Sequence, residues 1–256
     1  MTCLRRCFLV ININGNLQLI WLDIKRVFRD IKYVSFVILM PIIFYLLYTE
    51  IFSENAAVGS VDWNLYSLVS MISFGIMGNS INLLGTKIAD EKKKKWLDYI
   101  KVSPVNSKLY ALSHLFSFLL ISIIFTVLMF VIAYLTRGIT LSIDRAVEIG
   151  FLLNLGSFVF LSLALIIGEF GSAAQPFGTI IYLLLSFVGG LWMPVAAMPK
   201  TMAIVAKWLP SYNYAKIGWD LLDGKMFDWK VWGILFTYTF FFSLIYYIIV
   251  RTKRED

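Results

Sequence analysis

The chain has 256 residues, 59% hydrophobic and 15% charged, and its 23 Lys and Arg against 16 Asp and Glu give a net charge of +7. Soluble domains lie nearer ~45–50% apolar and ~25% charged, and the mean hydropathy of +0.78 departs from them in the same direction. An ordinary soluble domain, a disordered chain and a disulfide scaffold are excluded, which leaves an all-α, polytopic membrane protein built from spans of ~20 residues.

The N-terminal segment, residues 1–32, reads as a cytoplasmic amphipathic piece. Arg5 and Arg6 precede an apolar run, but Asn12, Asn14 and Asn16 interrupt it and no small-residue cleavage site follows, so it is not expected to be a signal peptide. Cys3 and Cys7 are the two cysteines; they are read as inert thiols rather than lipidation sites, and they cannot build a disulfide framework. From Leu17 to Ile31 apolar residues recur at helical spacing, with Trp21 on the apolar face and Arg26 and Arg29 on the polar one. A basic amphipathic helix of this kind lies in the membrane interface.

Six stretches free of Asp, Glu, Lys and Arg follow, at Tyr33–Thr49, Asn64–Thr86, Leu109–Thr136, Ile149–Gly168, Pro176–Met193 and Val231–Val250. A charge at mid-bilayer costs ~2.5–3.5 kcal/mol on insertion scales, so each stretch predicts a spanning helix within a domain of residues 33–250. With both termini inside, 16 Lys and Arg fall on the cytoplasmic side and 7 outside, as the positive-inside rule requires. A five-span reading that drops Pro176–Met193 gives a slightly better charge bias. It would, however, leave twelve large apolar side chains of Phe177–Met193 in water, at a cost of roughly 20–35 kcal/mol, so six spans are expected. Residues 251–256 form a cytoplasmic tail.

After the fifth span come Gly189, Gly190, Pro194 and Pro199, then the amphipathic run Lys200–Trp208 stopped by Leu209 and Pro210. Proline frees backbone groups that must be buried in protein or hydrated. The segment is expected to be a short re-entrant or interfacial element on the outer side, in preference to a plain external loop.

Catalytic chemistry is thinly provided for. The one histidine, His114, rules out a two-histidine metal motif in a single chain and reads as a satisfied interfacial residue. There is no nucleophile elbow and no phosphate-binding loop, so the chain is not expected to hydrolyse ATP or to be an enzyme. Glu50, Glu148 and Glu169 fall at span edges, and Asn79, Asn82 and Asn154 within spans are read chiefly as hydrogen-bonding groups between helices. No metal site and no nucleic-acid partner are expected.

Two further stretches complete a pattern. The loop Ala89–Leu112 carries Glu91, a short helix with Trp96, Leu97, Tyr99 and Ile100, and a closing Ser103–Pro104; Phe187–Gly224 carries the Gly pair, two prolines, Leu209–Pro210 and the aromatics Tyr212 and Tyr214. Together with the basic helix and the six spans, in this order, they resemble the membrane subunit of an ABC-2 type transporter, a bacterial ABC exporter permease. The resemblance covers nearly the whole chain. Lys92–Lys95 stand where family members often show a Gly, and Gly189 where a Ser is common.

The resemblance implies a permease in the plasma membrane that exports an amphipathic small molecule, peptide or lipid-linked compound. A cytoplasmic ABC ATPase subunit would hold ATP and Mg, with no cofactor in this chain, and a second permease copy or related chain would complete the pathway. Glu91 and Trp96–Pro104 would couple to the ATPase, with the aromatics as interface anchors, and Pro194–Pro210 would act as an outer lid. A polysaccharide or teichoic-acid exporter permease is the alternative, and an ATPase-independent secondary transporter a more distant one.

Overall fold

The computed structural model describes residues 35–52, 57–96, 107–225 and 228–255, together with Trp21 and Lys25. The interfacial helix, apart from Trp21 and Lys25, and the coupling residues Leu97, Tyr99, Ile100, Ser103 and Pro104 lie outside the described residues.

The chain is predominantly helical, and four of its described helices are long and apolar enough to cross a membrane: Trp63–Lys93, His114–Arg137, Ile143–Val188 and Trp229–Thr252. The expected first span is a shorter apolar helix, Val37–Ile51, whose regular part is α1 (Met40–Ile51) after a π-helical start at Ser35–Leu39. A feature absent from the sequence reading comes next. β1 (Ala57–Val58) and β2 (Val61–Asp62) form a minimal antiparallel hairpin. Asp62 then caps α2 (Trp63–Gly78) by accepting from the Asn64 and Leu65 N–H groups, which satisfies orphan donors of the first turn.

α2 passes through a π-helical turn, Asn79–Leu84, into α3 (Gly85–Lys93). This continuous rod is the centre of the molecule: 94% of its most apolar window is buried. α4 (Ser107–Arg137) packs along it.

The Ile143–Val188 stretch has 46 residues, about 69 Å of helix and twice the thickness of a hydrocarbon core. It folds back on itself. α5 (Ile143–Gly156) and α6 (Phe158–Ile167) descend, a tight turn spans Gly168–Ala173, and α7 (Ala174–Val188) returns. The reversal sits at Gly171, with φ 56° and ψ −123°, a backbone open to glycine and strained for any other residue. The returning leg lies beside the descending one: a Cβ at Gly178 would touch Ile167 at 3.5 Å, and the Tyr182 ring stacks on Phe74 of α2 at 4.7 Å. α7 has only 15 residues and stops at Gly189, short of the predicted Met193.

The segment after it is more elaborate than one amphipathic turn. A short turn at Val195–Ala197 leads to α8 (Lys200–Trp208), and α9 (Pro210–Leu222) follows at once. Pro210 does not end the structure there. It occupies the first turn of α9, where its missing N–H costs nothing and its fixed φ favours the helix. α9 buries Ser211, Asn213, Tyr214, Ala215, Ile217, Gly218, Trp219 and Leu221 and packs against α2, α5 and α10 (Trp229–Glu255). The outermost rod is α10, with 6% of its most apolar window buried.

Candidate functional site

Glu91 lies near the end of α3, buried, with its carboxylate 3.4 Å from His114 Nε2 on α4. The next residue, Lys92, pairs with Glu169 in the tight turn and stands 5.7 Å from the ring centroid of Tyr246 on α10. Two consecutive side chains of α3 therefore tie it to α4, to the turn between α6 and α7, and to α10. The sequence reading placed His114 and Glu169 as separate interfacial groups and noted Lys92 only as a departure from the family pattern; the structure brings them into one clasp. Trp96, 39% exposed, stands just beyond it.

In the middle of the rod the π-helical turn presents two amides to different neighbours. Asn79 Nδ2 donates to Ser122 Oγ on α4 at 2.7 Å, and Asn82 Oδ1 accepts from Thr179 Oγ1 on α7 at 3.3 Å. These are the inter-helix bonds expected of polar residues inside a bundle. A π turn carries one residue more than an α turn and is frequent at functional positions.

At the opposite end α8 and α9 form a helical hairpin with its elbow at Leu209–Pro210. Leu209 is extended, at φ −69° and ψ 144°. Ser211 Oγ donates to Leu185 O at 2.7 Å, and Asn213 Nδ2 donates to both Lys207 O and Leu209 O at 2.9 Å. Tyr238 of α10 donates to Trp208 O at 3.0 Å. The backbone groups freed by the elbow are thus bonded by side chains. The predicted residues Gly189, Gly190, Pro194, Pro199, Leu209 and Pro210 all belong to this element. Gly189 lies against Ser211 Oγ and Leu185 O with no room for a Cβ, and Gly190 has φ +83°. Pro194 and Pro199 immediately precede the short turn and α8.

Beyond the elbow, charges form a second cluster that sequence reasoning did not single out. Lys216 pairs with Asp220 and, at 3.3 Å, with Asp228; Lys225 pairs with Asp223; Arg145 Nη1 donates to Leu221 O at 3.2 Å. Burial disfavours the Lys216 ammonium, but the Asp220 and Asp228 carboxylates outweigh it and raise its pKa. The Lys230 N–H, with the Lys216 ammonium, lowers that of Asp228, and Asp223 raises that of Lys225. The (i, i+4) spacing of Lys216 and Asp220 was the available signal. Among the described residues no group of three or more His, Cys, Asp or Glu could hold a metal ion.

An apolar helical bundle with a polar clasp at one end and a stapled elbow at the other is the architecture of a multi-pass membrane protein. The model for "ABC-2 family transporter protein" matches residues 54–251, and the chain belongs to that family. A Bacillus subtilis (strain 168) protein named "Putative transport permease YvfS" is 30% identical over 235 residues, which are 91% of this chain and 95% of that relative. The transport-permease family that the sequence resembles is therefore the one to which the chain belongs.

Proposed function

We propose that the chain is the permease subunit of an ATP-driven ABC-2 exporter, with ATP and Mg held by a separate cytoplasmic ATPase. Family membership implies an ABC system with a partner ATPase. The observation that carries the assignment of the docking end is the clasp. Glu91, His114, Lys92 and Glu169 join α3, α4 and the tight turn, so a push on the segment beginning at Trp96 reaches three rods together. Glu91 and His114 are buried and the tryptophan is exposed, the arrangement of an anchor offered to a soluble partner.

In this reading the clasp end and both termini are cytoplasmic. Residues 1–32 lie in the interface, 33–250 form a six-span domain with the two legs around Gly171 counted as spans four and five, and 251–256 form the tail. The α8–α9 hairpin is the outer re-entrant lid. Two permease copies, or this chain with a related one, enclose the pathway in a bacterial plasma membrane. The cargo is an amphipathic small molecule, peptide or lipid-linked compound leaving the cell.

The test is gentle detergent extraction of a C-terminally tagged chain followed by mass spectrometry. A soluble protein with a phosphate-binding loop is expected at a stoichiometric level, and Trp96→Ala is expected to reduce its recovery by about tenfold, the loss of one interface anchor. Repeated purification of the chain without any ATPase would overturn the assignment.

A further inference from the structure

α9 and α10 are tied together at two levels. Lys216 of α9 meets Asp228, at the head of α10, at 3.3 Å, and Tyr238 of α10 donates to Trp208 O at the elbow at 3.0 Å. Trp208 lies eight residues before Lys216 and Tyr238 ten after Asp228, so along either rod the elbow sits ~12–15 Å inside the charged rim. That is close to half of a ~30 Å hydrocarbon core. The buried Asn213 donates to Lys207 O at 2.9 Å, which fixes Lys207 at this depth. Its side chain is exposed. It shares one face of α8 with Lys200 and Ile204, at i, i+4, i+7 spacing, while Ala206 turns into the bundle; Ile204 is 64% exposed and Trp208, beside Lys207, 70%. α8 holds no Asp or Glu, and among the described residues no carboxylate pairs with Lys207.

A charged side chain at such a depth faces a water-filled cavity or an opposite charge, not lipid tails. The lysine stem spans ~6 Å, no more than half of the way back to the rim, so snorkelling does not bring the ammonium to the headgroups. A second copy of this chain has no carboxylate to offer at that level: all 16 Asp and Glu lie outside the six charge-free stretches, and Asp220, Asp223 and Asp228 stand at the rim. The opposite charge therefore comes from what passes. We propose that Lys207 faces a hydrated part of the transport pathway and binds the anionic group, a carboxylate or a phosphate, of an amphipathic cargo, with Ile204 and Trp208 receiving its apolar part. This names the cargo class and rests on the reading of the chain as an exporter permease.

The test uses the full chain in phosphatidylcholine nanodiscs and needs no ATPase, so its outcome is separate from that of the co-purification experiment. With Cys3 and Cys7 replaced, Lys207→Cys is expected to react with a membrane-impermeant methanethiosulfonate at least about 10-fold faster than Phe236→Cys, because only a hydrated thiol ionises. Phe236 is 75% exposed and two residues from Tyr238, which makes it the lipid-facing control at the same depth. In the unaltered chain, a diazirine-bearing dodecyl phosphate is expected to label the peptide covering 200–208 about 10-fold more than the matching dodecyl alcohol, the value of one charge-assisted hydrogen bond. Lys207→Met, which keeps the stem and removes the charge, is expected to bring that ratio to about 1. Equal reaction of the two cysteines, equal labelling by the two probes, or a ratio that survives Lys207→Met would overturn the proposal. So would loss of the ratio in nanodiscs containing an equal part of phosphatidylglycerol, because the lysine would then be serving a lipid headgroup.

Discussion

A methyl group at Gly189 has nowhere to go. Its position is already occupied by Ser211 Oγ and the Leu185 carbonyl, the two atoms whose hydrogen bond joins α7 to the elbow. Gly189→Ala is therefore expected to destabilise the protein by about 1–3 kcal/mol, the usual cost of overpacking, seen as a lower unfolding temperature in detergent. Gly233→Ala on α10, where nothing lies within 4 Å, is the matched control and should leave that temperature unchanged or raise it. At this scale the sequence was informative about identity and poor on geometry. The Gly pair stood out through a resemblance, but the side chain that comes closest to Gly189, Ser211, is 22 positions later. Asn154 could be assigned to hydrogen bonding from its place in an apolar stretch, yet its amide bonds within its own helix and leaves one oxygen unused.

Among the elements, α9 was the least legible. It lies beyond Pro210, which reads in the sequence as a stop, and Lys216 and Asp220 keep it out of the six charge-free stretches. Both signals had a second meaning. The two charges satisfy each other one helical turn apart, and proline at a first turn begins a helix. The β hairpin was equally invisible, since two-residue strands have no measurable alternation. The pairing at the far end of α9 has a defined pH range. The raised Lys216 pKa means its contribution is complete below the ordinary 10.5 and is lost as pH rises through the folded value. The lowered Asp228 pKa means its contribution is present above the ordinary 3.8 and is lost as pH falls through the folded value. The unfolding temperature is accordingly expected to show no step from this pair between those limits. Lys216→Met should remove the alkaline step without creating one near neutrality, as read from thermal scans across pH.

For the molecule as a whole, a charge-free pattern locates long apolar segments but cannot say which one is central. α2 and α10 are both charge-poor rods, yet one is almost wholly covered while the other, packed on α6 and α9 along one side only, has 6% of its most apolar window buried; the difference lies in which partners surround each. It ended one stretch at Gly168 and began the next at Pro176, which brackets the tight turn, but only the φ of Gly171 marks the residue at which the chain bends. The π-helical turn at Asn79–Leu84 has a consequence along the full length of this central rod. It acts as a one-residue phase shift between the half that begins at the Asp62 cap and the half that carries Glu91. Removing one residue from the turn would restore an unbroken α-helix and swing everything beyond it by ~100°. Glu91 would then leave His114, and Lys92 would leave Glu169, while the first half stayed in place. A single deletion such as that of Ser80 is expected to preserve membrane insertion and abolish transport. The angular offset between the two halves, rather than any one side chain, sets the direction in which the clasp residues point.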